Sequence, residues 1–188
     1  MSATSAPIAT ATAALNDAGI PFMVAGSFAS SIHGLPRTTQ DLDLVIDPPD
    51  LSSVERLVLA FDALHHYVDA GAARDAYRRR TMFNVIDPRT GWKIDLIVKK
   101  TRPFSVSEFQ RRYLTTVLGS PVSIATAEDT IVAKLEWSKA SGGSERQRRD
   151  IGGILAMNDA ALDMGYIERW VRELGLEAEW RIAAAWEP

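Results

Sequence analysis

The segment Asp41-Leu42-Asp43-Leu44-Val45-Ile46, stopped by Asp47-Pro48-Pro49, constrains this chain more tightly than any other. Acid alternates with leucine and then gives way to an unbroken apolar run, which predicts a β-strand, because successive side chains leave opposite faces. Leu42 and Leu44 then face a core. Asp41 and Asp43 leave together on the other side, where two carboxylates can converge on one hard cation. An isolated D-x-D also suits a solvated edge strand with outward acids, so the pair needs support from elsewhere in the chain.

The flanking segments supply a layered α/β context. Residues 8–18 are alanine-rich and end at Gly19, predicting a helix with a glycine stop, and Pro21–Ala25 predicts a short strand. FASSIHG predicts a brief helix ending at Gly34, residues 51–63 an amphipathic helix with Leu51, Val54, Leu57, Val58 and Phe61 on one face, and His65–Val68 a short edge strand. A helix over 71–80 precedes the runs TMFNVID and GWKIDLIV, which Pro88-Arg89-Thr90-Gly91 joins as a hairpin. Pro103–Arg112 reads as a helix and Val122–Ile124 as a short strand. Thr126-Ala127-Glu128-Asp129 opens a helix through Lys139, and Ser144-Glu145-Arg146-Gln147 opens another to about Met157. Two further helices are expected over 164–174 and 177–186, with Trp170, Trp180 and Trp186 as packing residues.

Two further features move the D-x-D toward chemistry. Gly26-Ser27 follows the first predicted strand, where glycine lets backbone approach a ligand and the next helix presents free N–H groups to phosphate. Asp95 interrupts the apolar strand between Ile94 and Leu96, where burial of a carboxylate is costly without a metal or cationic partner. A strand acid facing solvent is the competing reading.

Composition narrows the rest. With 188 residues, 46% hydrophobic, the chain closes a real core in one domain, or one domain with a small helical annex. A net charge of -3 neither demands nor excludes a polyanionic partner, so any nucleic-acid contact must be local. Arg74, Arg78-Arg79-Arg80 and Arg111-Arg112 are the candidates for tracking an RNA backbone, or else solvated faces. The absence of cysteine removes disulfides and thiol chemistry, and no apolar run approaches the ~20 residues of a membrane span. The N-terminal MSATSAPIATATAAL lacks a secretion-signal pattern and reads as a soluble tail entering the first helix; the expected location is cytoplasmic. The three histidines form no metal set: His33 closes a short helix and His65-His66 point to opposite faces if extended.

Gly26-Ser27, the intervening residues 28–40, the apolar-flanked Asp41-x-Asp43 and the later apolar strand with Asp95 resemble the signature of the nucleotidyltransferase (polymerase β-like) superfamily over residues 21–98. The Arg37-Thr38-Thr39-Gln40 approach and the late lysine followed by Arg149-Asp150 look most similar to bacterial minimal nucleotidyltransferases and abortive-infection-type toxins. The resemblance implies an α/β (α+β) nucleotidyltransferase fold, with a mixed sheet flanked by helices over 1–125 and a C-terminal helical bundle over 126–188. It implies an NTP substrate, transfer of a nucleoside monophosphate to an acceptor hydroxyl with release of pyrophosphate, and Mg2+, two ions, held by Asp41, Asp43 and Asp95. Asp95 would also take the proton of the nucleophile. Gly26 and Ser27 would cradle phosphates, Lys134 would reach the triphosphate, and Asp150 would orient Lys134.

Residue-level alternatives stand beside these roles: Lys134 as a surface lysine, Asp150 as the i,i+4 partner of Arg146, and Arg37 as a loop anchor instead of a phosphate contact. The toxin-like branch implies tRNA or another RNA as acceptor and a cognate antitoxin protein as partner. An antibiotic-type small-molecule transferase and a non-catalytic nucleotide-binding module are the competing readings.

Overall fold

The structure, a computed structural model, describes residues 5–158 and 161–186; residues 1–4, the head of the expected N-terminal tail, lie outside them. Two compact units divide the chain, Met1–Ala25 with Thr39–Ile124, and Gly26–Thr38 with Ala125–Pro188.

The first unit is built on a seven-stranded mixed sheet. Its elements are α1 (Ser5–Asp17), β1 (Phe22–Val24), β2 (Asp41–Ile46), α3 (Leu51–Ala63), β3 (Tyr67–Val68), α4 (Ala70–Arg79), β4 (Met82–Ile86), β5 (Lys93–Val98), α5 (Pro103–Arg111), β6 (Tyr113–Val117) and β7 (Ser120–Ile124), with α2 (Gly26–His33) following β1 in the chain. The strand order is β3-β4-β5-β2-β1-β7-β6, with β2 parallel to β5 and β1 parallel to β7, and the other neighbours antiparallel. Period-two alternation sends Leu42, Leu44 and Ile46 of β2 and Ile94, Leu96 and Val98 of β5 to one face, where each is at most 1% exposed. Helices α1, α3 and α4 supply the matching apolar layer: α1 packs on α3 and β7, and α4 packs on α3, β4 and β5. Each fully buried leucine or isoleucine there contributes roughly 1.5–3 kcal/mol against exposure.

The boundaries have local causes. Around Gly19, at φ 69°, the Ile20 N–H donates to the Leu15 carbonyl at 2.9 Å and ends α1. Asp50 caps α3 by accepting from the Ser53 N–H at 2.7 Å. β3 lies at the sheet edge, as expected for the segment before α4. His65 departs from an extended reading: it sits at φ 59° ahead of β3, so His65 and His66 do not alternate across a strand, and His66 is buried against the Phe61 ring.

The expected lone strand at 122–124 is one arm of a hairpin. β6 and β7 pair antiparallel through Leu118-Gly119, both at positive φ (49° and 84°), the conformation of a tight two-residue turn. A leucine in that position carries no turn signal in the sequence, and Pro121 speaks against a strand. It is tolerated because β7 pairs with β1 only at Ile124, far from the proline.

The second unit holds α2, α6 (Ala127–Ala140), α7 (Glu145–Asn158), α8 (Met164–Glu173) and α9 (Glu177–Ala184). Thr126 accepts from the Asp129 N–H at 3.2 Å and donates to its carboxylate at 2.7 Å, the capping arrangement expected there. α2 packs on α6 and α7, α6 on α7, α8 and α9, and α7 on α9. The pair Gly152-Gly153, unfavourable inside a helix, is explained by close approach. A Cβ on Gly152 would lie 2.1 Å from the Trp186 ring, and one on Gly153 would lie 3.1 Å from the Leu35 backbone nitrogen. Trp170 is buried and Trp180 and Trp186 are half-buried, consistent with packing roles.

Candidate active site

The register of β2 and β5 builds the first group of candidate side chains. Asp43 and Asp95 are direct partners on adjacent parallel strands, and Asp41 pairs with Lys93 one pleat earlier on the same face. This is the sheet face opposite Leu42 and Leu44. Asp41 is exposed, Asp43 half-buried and Asp95 only 7% exposed. The Asp41 N–H donates to the Thr39 hydroxyl at 3.1 Å, which fixes the start of β2, and the Ala25 N–H donates to the Asp43 carbonyl at 2.9 Å.

Asp95 is satisfied by two residues whose importance the sequence reading missed. Asn84, its partner on β4, donates an amide hydrogen to Oδ1, and Lys93 Nζ donates to Oδ2 at 2.9 Å. That hydrogen bond to Asp95, and then the negative charges of Asp95, Asp41 and Asp43, hold the Lys93 ammonium above the ordinary lysine range against the opposing effect of burial. The signal was present in the period of two: Lys93 and Asp95, like Asp41 and Asp43, are spaced to share a face. Three carboxylate oxygen donors on one face match the chemistry of a hard divalent ion. As they stand, with Asp95 turned to Lys93 and Asn84, no three acid or imidazole side chains among the described residues are gathered tightly enough to ligate one.

A second group forms entirely within the helical unit. Gly26, at φ 57°, begins α2, and the Ser27 hydroxyl accepts from Arg37 Nη2. Arg37 Nε donates to Asp150 Oδ1 at 3.1 Å, Lys134 Nζ donates to Asp150 Oδ2 at 2.7 Å, and Ser30 donates to the same oxygen at 3.4 Å. Gln147, one helical turn before Asp150, accepts from Lys134 at 3.1 Å. Lys134 and Asp150 are 5% and 6% exposed, so Lys134 is not a surface lysine. Asp150 turns to Lys134 and Arg37, while Arg146, its alternative partner in the sequence, is exposed. Arg37 thereby anchors its loop to both Ser27 and Asp150. Ser30 and Gln147 were also missed; each lies three residues along a helix from a named residue, Ser27 or Asp150, the spacing that places side chains on one face.

Several of the arginines considered for RNA contact have partners within the chain. Arg74 pairs with Glu55 at 2.9 Å, Arg78 with Asp75 at 3.8 Å, Arg80 donates to the Lys99 carbonyl at 2.7 Å, and Arg112 stacks 4.0 Å over the Phe109 ring. His33 Nε2 lies 2.7 Å from the Ala125 carbonyl, a structural contact. No helix among the described residues is long and apolar enough to cross a membrane.

No family model matches the sequence, and no curated protein matches it either. Solved structures do. The solution structure of the antibiotic-resistance factor ANT(2'')-Ia aligns over 96% of this chain and 99% of its own at 13% identity, with a TM-score of 0.60. An antigenic nucleotidyltransferase-like protein from Paracoccidioides brasiliensis aligns over 97% of this chain and 93% of its own at 16% identity, TM-score 0.53. The lincosamide antibiotic adenylyltransferase LnuA, in its lincomycin-bound structure, covers 76% of this chain and 90% of its own at 8% identity, TM-score 0.52. With a mixed sheet that sets an acid pair on β2 across from an acid on β5, this chain has the nucleotidyltransferase fold.

Proposed function

We propose that this protein is a divalent-metal-dependent nucleotidyltransferase that moves a nucleoside monophosphate from an NTP to an acceptor hydroxyl. The acceptor oxygen forms a bond to the α-phosphorus as the bond to the leaving pyrophosphate breaks, and the hydroxyl proton is lost. The observation that carries the reading is the register: Asp43 directly across from Asp95, with Asp41 on the same face.

In this reading Asp41, Asp43 and Asp95 hold Mg2+, two ions, through hard carboxylate oxygens. When bound, such ions neutralise charge on the triphosphate and acidify the attacking hydroxyl. Asp95 receives the acceptor proton. Ser27 and the first N–H groups of α2 bind phosphate oxygens. Lys134 supplies a fixed positive charge for the triphosphate, Asp150 orients it, and Arg37 ties Asp150 to Ser27.

A small hydroxyl-bearing molecule is the favoured acceptor. Two of the matching structures are of antibiotic-modifying or antibiotic-resistance proteins, and of the arginines considered for an RNA backbone Arg74 and Arg80 are engaged internally. Incubation with each α-labelled NTP and Mg2+, with hydroxyl-bearing antibiotics in one arm and tRNA in the other, tests both. Label transfer to a small molecule supports the favoured acceptor. Label on RNA, with growth arrest on expression, supports the toxin-like reading and an antitoxin partner. No transfer and no NTP binding in either arm would leave the transferase reading without support.

A further inference from the structure

We infer that the Lys93 ammonium is a tethered counter-cation of the carboxylate face, satisfying Asp95 in the metal-free protein and competing with a divalent ion for it. The inference rests on the reading of Asp41, Asp43 and Asp95 as metal ligands and adds a residue that sets how tightly they bind.

The strand register forces the placement. Lys93 is the cross-strand partner of Asp41 and lies two residues before Asp95, so its side chain emerges among all three acids. Its Nζ contacts Asp95 Oδ2 at 2.9 Å while Asn84 takes Oδ1, so both oxygens of the buried carboxylate are engaged. Two other cations of the sheet unit are committed elsewhere: Lys99 pairs with Asp47 at 3.0 Å, and Arg80 donates to the Lys99 carbonyl.

The exposure of the two partners differs in the way an exchangeable cation requires. The Asp95 side chain is 10% exposed and needs a compensating charge whether or not a metal is present. The Lys93 side chain is 41% exposed, on a flexible stem, and can swing its ammonium into water at little cost when a stronger cation arrives. Lys134, at 6%, has no such exit. Lys93 is therefore a positioning residue: it holds Asp95 Oδ2 and aims the carboxylate along the face, and gives the oxygen up on loading.

Mn2+ titration followed by electron paramagnetic resonance, with full-length protein and no nucleotide, reads this directly. Removing a unit charge beside the ion in Lys93→Gln should tighten Mn2+ binding by about tenfold. Lys93→Arg, which keeps the charge, should stay near wild type, and in an Asp95→Asn background Lys93→Gln should have little further effect. Metal-free Lys93→Gln should also melt lower than wild type and recover more on adding Mn2+. Equal or weaker Mn2+ binding in Lys93→Gln, or no Mn2+ binding by either protein, would overturn the inference. A tenfold gain without nucleotidyl transfer would count against the proposed function alone; transfer with unchanged Mn2+ affinity would count against Lys93 alone.

Discussion

The two polar groups of this molecule have opposite charge balance. On the β2–β5 face the acids Asp41, Asp43 and Asp95 outnumber Lys93, the lysine that the register sets among them, at a partly exposed surface. In the helical unit one carboxylate, Asp150, is shared by Lys134 and Arg37, leaving a positive excess around buried atoms. The first arrangement suits a cation that comes and goes, and the second an anion held by a fixed charge. They differ in stability as well. Neutralising one of several like-charged acids on a partly exposed face relieves repulsion, whereas removing Asp150 takes the carboxylate away from a buried ammonium.

That contrast breaks or holds under substitution. Asp43→Asn should lower transfer by roughly two orders of magnitude or more, as expected for loss of a group acting on the reacting centre, while the melting temperature stays close to wild type. Asp150→Ala should instead destabilise the fold by about 3–5 kcal/mol, read as a fall in the urea midpoint, because the buried Lys134 ammonium loses its paired carboxylate. If both variants behave alike, the distinction between an exchangeable and a fixed group fails.

Packing gives a smaller effect. Gly152→Ala should cost about 1–3 kcal/mol, since its methyl would meet the Trp186 ring, and Trp186→Ala should recover part of the loss.

The smallest effect concerns the turn that leads into β5. Burial of Asp87 would raise its carboxyl, but the Arg89 N–H and guanidinium and the Thr90 hydroxyl more than offset this and bring it to about 2, below the ordinary 3.8. A lowered folded-state value means the stabilisation is present above the unfolded value and is lost as pH falls from about 4 through 2. Asp87→Asn should therefore cost about 1–2 kcal/mol at neutral pH, discounted for the exposed Arg89, and little near pH 2, measured by urea unfolding at both.

Much of this architecture was legible because periodicity and caps agreed. The period of two in Asp41–Ile46 fixed which residues share a face, and Thr126 marked the start of α6. β6 was hidden: its exposed Tyr113 and Leu114 break the alternation, and its turn uses a leucine where asparagine or glycine would announce the conformation. Asn84 and Lys93 were hidden for a different reason. Asn84 reads as an ordinary polar position on its own strand until β4 pairs with β5 and sets it beside Asp95, and Lys93, whose spacing already puts it on the face of Asp95, becomes the neighbour of Asp41 only through the β2–β5 pairing. Asp150 offered Arg146 as a sequence-near partner, whereas Lys134 and Arg37 reach it through the packing of α6, α7 and the segment after α2.

The central claim is that the β2–β5 acids hold a divalent ion on which nucleotide binding depends. Calorimetric titration of NTPs into the protein, with and without Mg2+, and into Asp43→Ala, tests it most directly. The account predicts heat of binding that requires Mg2+ and disappears in Asp43→Ala; binding that is indifferent to Mg2+, or that survives the substitution unchanged, would contradict it.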